Sequence, residues 1–253
     1  MSALKTSVKR AFRTFGFRIN RVPKSTSLAH EDLFPFATWS PWNVDRGFID
    51  AYDQIQNHTL VDKYRCYELW QLTEQAAKLP EGALLEVGVW RGGTGALIAR
   101  KAQDCGITDN VYLCDTFTGV VKAGEHDHTY SGGEHEDTSR EVVEQLAGRM
   151  QLMNVEILQG IFPDDTAHHV AEQKFRFCHI DVDVYQSAKE VNQWVWDRLV
   201  PGGIVVYDDY GFQACDGVLQ CVEEQRQLKD RIVLHNLNGH AVVIKLASSG
   251  DLT

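Results

Sequence analysis

The sequence predicts an α/β fold: a mostly parallel, seven-stranded sheet that ends in an antiparallel hairpin. Three observations predict it. From Ala83 onward, short apolar runs alternate with helix-length segments, the pattern of a parallel sheet covered on both faces. Two acidic clusters, FCHIDVDVY (177–185) and IVVYDDYG (204–211), each close an apolar run. Asp181 and Asp208 are 27 positions apart, the length of a helical crossover between parallel neighbours, so both should emerge at the same sheet edge. Lastly, Asn238-Gly239 separates two β-rich runs, a turn signal that makes the final pair antiparallel.

The N-terminus differs in kind from the rest. Residues 1–24 carry seven basic side chains (Lys5, Lys9, Arg10, Arg13, Arg18, Arg21, Lys24) and no acidic one, which leaves 18 basic against 35 acidic residues, or −17, in the remainder. Leu4, Val8, Phe12 and Phe15 fall at roughly helical spacing, giving a basic face suited either to an anionic membrane surface or to packing on a partner. The Pro- and Trp-rich stretch 35–45 reads as an extended linker, so residues 1–47 are expected to be an extension and 48–253 the folded domain. Residues 48–79 predict two helices broken near residues 57–59. Strands are then expected at 83–89, 111–115, 155–159, 175–181, 203–208, 231–235 and 240–246, and helices at 94–105, 138–149, 166–173, 186–198 and 215–227.

Composition narrows the class. An apolar content of 43% in 253 residues supports one substantial core, and a net charge of −10 disfavours a nucleic-acid-binding surface. No apolar run approaches a membrane span, and the basic N-terminus lacks the apolar centre of a secretory signal. The six cysteines form no CxxC or other zinc spacing, so reduced core thiols and a cytoplasmic location are expected.

The chemistry concentrates at the strand ends. Asp181, Asp208 and Asp209 are three carboxylates converging on one edge, a hard-oxygen set that suits Mg²⁺. The first strand runs into LLEVGVWRGGTGALIA (84–99), where Gly88 leaves room for a cofactor to approach the backbone. Its Glu-x-Gly-x-x-x-Gly spacing from Glu86 to Gly92 is not the dinucleotide fingerprint. An acidic residue before the turn suits a cationic ligand such as S-adenosylmethionine. Asp115, at the end of the second strand, is placed to accept ribose hydroxyls, in that cofactor or in NAD. Joined to five parallel strands and a terminal hairpin, these features favour the Rossmann-like class I methyltransferase fold.

EVGVWRGGTG, CDTFTG, HIDVDVYQSAKE and VVYDDYG, in this order, resemble the macrocin O-methyltransferase (TylF/MycF) family of metal-dependent sugar O-methyltransferases, over roughly residues 59–246. The resemblance implies S-adenosylmethionine at Glu86, Gly88 and Asp115, Mg²⁺ at Asp181, Asp208 and Asp209, and Asp181 as general base as well as ligand. Thr59, with Arg65 and Tyr67, either borders the cofactor entrance or serves packing. Asp183 is either a substrate contact or a helix cap. His179 should face away from Ile180 as a structural histidine. The polar stretch between Val120 and Asp137, with His126, His128, His135 and Tyr130, reads as a lid over the acceptor, although its histidines also offer transition-metal ligands. The expected acceptor is a small molecule or glycan; a catechol-like acceptor and a non-catalytic cofactor-binding module are the alternatives. A homo-oligomer is compatible with all three.

Overall fold

The computed structural model describes residues 37–247, together with Thr14, residues 29–31 and Leu33. Apart from Thr14, the expected helix of residues 1–24 lies outside these described residues. The chain divides into Met1–Phe36 and Ala37–Thr253, and the second unit carries the fold below.

Before the sheet begins, the chain builds a helical layer. A 3₁₀ turn at Pro41–Asn43 sets Trp42 edge-on to Tyr64 and Tyr67, at 5.0 and 5.9 Å between ring centroids. Helix α1 (Arg46–Ile55) is capped by Asp45, whose carboxylate accepts from the Phe48 N–H and also from the Trp70 indole. Helix α2 (Lys63–Ala76) is capped by Asp62, which accepts from Tyr64 N and Arg65 N. These are the two helices expected over 48–79, with the break at 57–59 where the chain passes over the glycine turn.

Seven strands follow in the order β3-β2-β1-β4-β5-β7-β6: β1 (Ala83–Val87), β2 (Val111–Asp115), β3 (Val155–Gln159), β4 (Phe175–Ile180), β5 (Leu199–Tyr207), β6 (Arg231–His235) and β7 (Ala241–Lys245). The β1, β2, β3, β4 and β5 pairings are parallel and those of β7 antiparallel. Helices α3 (Gly93–Asp104) and α4 (Arg140–Arg149) join α1 and α2 on one face; α5 (Tyr185–Trp196) and α6 (Asp216–Gln225) cover the other. Alternation sorts the side chains: Leu84, Leu113, Phe177 and Val206 enter the first core, and Leu85, Cys178, Ile180 and Tyr207 the second. Strand order reverses between β1 and β4, so a crevice opens above their carboxyl ends, the usual ligand position in such sheets.

Two elements depart from the sequence expectation. The helix expected at 166–173 is only a 3₁₀ turn, Ala167–Val170. Its two buried residues, Ala167 and Val170, are three apart, which one tight turn satisfies. Strand β5 begins at Leu199 rather than 203, passing through Pro201-Gly202-Gly203 with a shift of register against β4. Pro-Gly reads locally as a breaker; the exposed Pro201 and left-handed Gly202 instead form an irregularity within a strand.

Candidate active site

Gly88 is required by the chain itself. Its φ is +87°, and a β-carbon there would stand 1.7 Å from the Asp181 carbonyl oxygen, so any side chain would push apart the β1 and β4 ends. Beyond it, Asp115 accepts three backbone N–H groups, from Val89 at 2.6 Å, Trp90 at 2.8 Å and Phe117 at 2.7 Å. This carboxylate ties the β2 end to the glycine turn. Trp90 and Phe117 both hold positive φ, 48° and 56°, and line the site or pack beside it.

One cavity of about 310 Å³ connects this turn to the acidic cluster. Thr59, Gly88 and Asp115 line it together with Asp181, Asp208 and Asp209, so six of the seven residues singled out in the sequence share one space. The seventh, Glu86, is not among the lining residues. It is fully buried beneath the cavity floor, with Oε1 at 2.7 Å from His179 Nδ1 and Oε2 without a hydrogen-bond partner. A β-carbon on Gly95 would approach that oxygen to 2.4 Å, so α3 packs directly over it. The acidic residue before the turn points into the sheet face because alternation from Val87 puts it there, and the cavity lining does not include it.

Asp181, Asp208 and Asp209 each offer an oxygen, all within 4.8 Å of one another. Burial and the charges of Asp208, Asp209 and Asp183 push Asp181 well above the usual carboxylate range. Burial, then the charges of Asp183 and Asp208, do the same to Asp209. Asp208 goes the other way. Burial would raise it, but the imidazoles of His179, 3.6 Å away, and His240, in hydrogen-bond contact at 2.9 Å, together with the Arg65 guanidinium, hold it below the usual range. Arg65, from α2, pairs with Asp208 Oδ2, is held by Asp62 at 2.8 Å, and lies 4.5 Å over the Phe212 ring. The donor set fits a hard divalent cation: all ligand atoms are oxygens, and two of them repel until a positive charge arrives.

The lid expected between Val120 and Asp137 closes one wall. Val120, Val121, Tyr130 and His135 line the cavity, while Asp137 anchors the loop to the Trp90 indole at 2.9 Å and to the Arg91 guanidinium at 2.6 Å. Its histidines do not converge on a metal: His126 meets Gln220, His128 pairs with Asp216, and His135 stands 4.0 Å from Asp183. Asp183 occupies a left-handed conformation at φ 64° and its N–H donates to Asp209 Oδ2 at 3.0 Å. Its carboxylate faces the cavity beside Tyr130, which hydrogen-bonds to it, and Cys215. Burial raises the Asp183 pKa against the lowering effects of Tyr130 and His135. Sequence reasoning missed His240 and Glu68, which meet at 2.7 Å behind Asp208. The signal was present in the alternation back from Val242, but it needed the β5–β7 register to point at Asp208.

The sequence profile of the macrocin O-methyltransferase (TylF) family matches residues 43–244, most of the chain and all of the elements that build the cavity. The chain belongs to that family. Among macrocin O-methyltransferase relatives it is similar to the mycinamicin III 3''-O-methyltransferase of Micromonospora griseorubida, 30% identical over 193 residues that cover 70% of this chain and 74% of that one. It is also similar to a tetracenomycin-pathway protein of Streptomyces olivaceus, 8-demethyl-8-(2,3-dimethoxy-alpha-L-rhamnosyl)-tetracenomycin-C 4'-O-methyltransferase, 29% identical over 169 residues covering 62% of this chain and 64% of that one. Among solved structures, the O-methyltransferase NovP superposes with a TM-score of 0.64 at 24% identity, covering 75% of this chain and 83% of that one, a likeness of fold. The enzyme is therefore an S-adenosylmethionine-dependent O-methyltransferase on a seven-stranded α/β fold. Among its described residues, no helix is long and apolar enough to cross a membrane.

Proposed function

We propose that this enzyme transfers the methyl group of S-adenosylmethionine to a sugar hydroxyl of a glycosylated natural product or surface glycan, with Mg²⁺ held by Asp181, Asp208 and Asp209. The observation that carries this reading is the shared cavity, with the glycine turn and Asp115 at one end and the three carboxylates at the other. The tetracenomycin relative carries a rhamnosyl group in the name of its acceptor, which supports the same acceptor class. Mg²⁺ bound there would lower the pKa of the acceptor hydroxyl and orient it.

The chain's own residues divide the remaining work. Thr59, Gly88 and Asp115 border the cofactor, Asp115 through the lone pairs left by its three backbone donors. Glu86 supports His179 beneath the floor. Asp181 serves as ligand, while Asp183 takes the acceptor proton. A carboxylate that donates its lone pairs to a dication is a weak base, whereas Asp183 borders the same cavity outside the Asp181/Asp208/Asp209 set, with Tyr130 to orient it. The 120–137 lid excludes water. The test is S-adenosylhomocysteine formation with a panel of glycosides, with and without Mg²⁺. Turnover that is undiminished after chelation, or that Asp181→Ala leaves intact, would refute the metal assignment.

A further inference from the structure

Behind the carboxylates lies an ordered row of buried polar side chains on the sheet face covered by α1–α4: Glu86 on β1, His179 on β4, Asp208 after β5 and His240 before β7. Both imidazoles are fully buried, and each has a carboxylate behind it and Asp208 in front. His179 places Nδ1 2.7 Å from Glu86 and Nε2 3.6 Å from Asp208 Oδ1. His240 places Nδ1 2.7 Å from Glu68 Oε2 and Nε2 2.9 Å from Asp208 Oδ1.

The His240 half is the better fixed. The His240 backbone N–H donates to Asn238 Oδ1 at 3.1 Å, and the same turn sends the Asn236 and Asn238 amides to the two Glu68 oxygens, the second at 2.8 Å. Glu68 is on α2, one turn from Arg65, which grips the other Asp208 oxygen. The hairpin turn and α2 thus hold Asp208 from two sides, while Asp181 has no comparable support among its described contacts.

We propose that His240 is a positioning residue for the divalent cation. Braced by Glu68, it fixes the rotation of the Asp208 carboxylate and so sets the affinity of the Asp181/Asp208/Asp209 site without entering the coordination shell. This rests on the cation site proposed above. Partners of this kind, behind a ligand, typically govern affinity by about 10- to 100-fold.

The experiment uses the full chain. Mg²⁺ binding is followed by calorimetry and Mn²⁺ binding by electron paramagnetic resonance, with S-adenosylmethionine affinity as the internal control. His240→Leu is expected to weaken both metals by about 10- to 100-fold and leave cofactor affinity unchanged. His240→Gln, which returns a donor near the Nε2 position, should recover most of the loss. Glu68→Gln, nearer the surface, should weaken the metal in the same direction and covers the case in which His240→Leu does not fold. Wild-type metal affinity in His240→Leu or, failing that, Glu68→Gln overturns the inference. So does a tightly held second metal, Zn²⁺ or Fe²⁺, that the wild type carries and His240→Leu loses, because the ring would then be a ligand. If the wild type binds metal and Asp181→Asn does not, yet His240→Leu binds normally, only this inference fails; if the wild type binds none, the cation site fails with it.

Discussion

Two halves of one acidic cluster are built in opposite ways. Around Asp208, three basic side chains from α2, β4 and the hairpin turn gather on one carboxylate and hold its pKa down. Around Asp181, Asp209 and Asp183, burial and mutual repulsion drive the pKa of each carboxylate up. The first half is complete as folded, and the second is electrostatically unfinished. With the cation site proposed above, one carboxylate would be held rigid before any cation arrives and the others would be left for it to organise.

The largest expected effect comes from removing a ligand on the unfinished side. Asp181→Ala should abolish detectable S-adenosylhomocysteine formation while calorimetry records cofactor binding close to wild type. Asp183→Asn tests whether ligand and base are separate residues. We expect kcat to fall by about 10²- to 10⁴-fold at saturating Mg²⁺, with metal affinity little changed. A parallel loss of metal affinity would merge the two roles again.

Stability should divide the halves directly. Asp208→Asn removes the charge that Arg65 and the two histidines share, leaving each only its second carboxylate (Asp62, Glu86 and Glu68), and denaturant unfolding of the metal-free protein should record a loss of up to about 3–5 kcal/mol. Asp209→Asn keeps an acceptor for the Asp183 N–H and relieves folding of the need to protonate a buried, repelled carboxyl, so the metal-free protein should gain stability at neutral pH. Equal signs for the two substitutions would erase the distinction drawn here.

The smallest effects lie in the pH dependence of the metal-free protein. Folded Asp181 and Asp209 keep protons that the unfolded chain releases above about pH 3.9, so their effect is to lower stability as pH rises from there through their raised folded values. Asp208 contributes stability above that same unfolded value and loses it as pH falls through its lowered folded one. Burial would lower His179, but Asp208 and Glu86 hold it up at about 9. Its contribution is therefore whole below about pH 6.5 and lost as pH climbs through about 9. Thermal melts of the wild type, Asp181→Asn and His179→Gln across pH 5–10 should separate these components, and added Mg²⁺ should stabilise most at the alkaline end.

Legibility followed distance along the chain. Strand positions, the terminal hairpin and the two helices before the sheet could be read because period-two and helical spacing are local properties. The Asp115, Asp181 and Asp208/Asp209 positions could be read because strand ends of a parallel sheet must share one edge. The contact of Glu86 with His179 was not legible, because a motif fixes a residue's place in the chain while the pleat fixes the face to which it points. Pro201-Gly202-Gly203 misled because a local breaker was absorbed by a shift of register against β4.

By itself, then, the sequence determined the layered fold and the convergence of the acidic clusters, since both follow from short-range periodicity and the rules of parallel connection. Only the tertiary structure decided which carboxylate is compensated. Arg65 and His240 reach Asp208 across 143 and 32 positions of sequence, and Glu68 reaches His240 across 172, and such contacts exist only after the sheet has closed and its strands have taken their register.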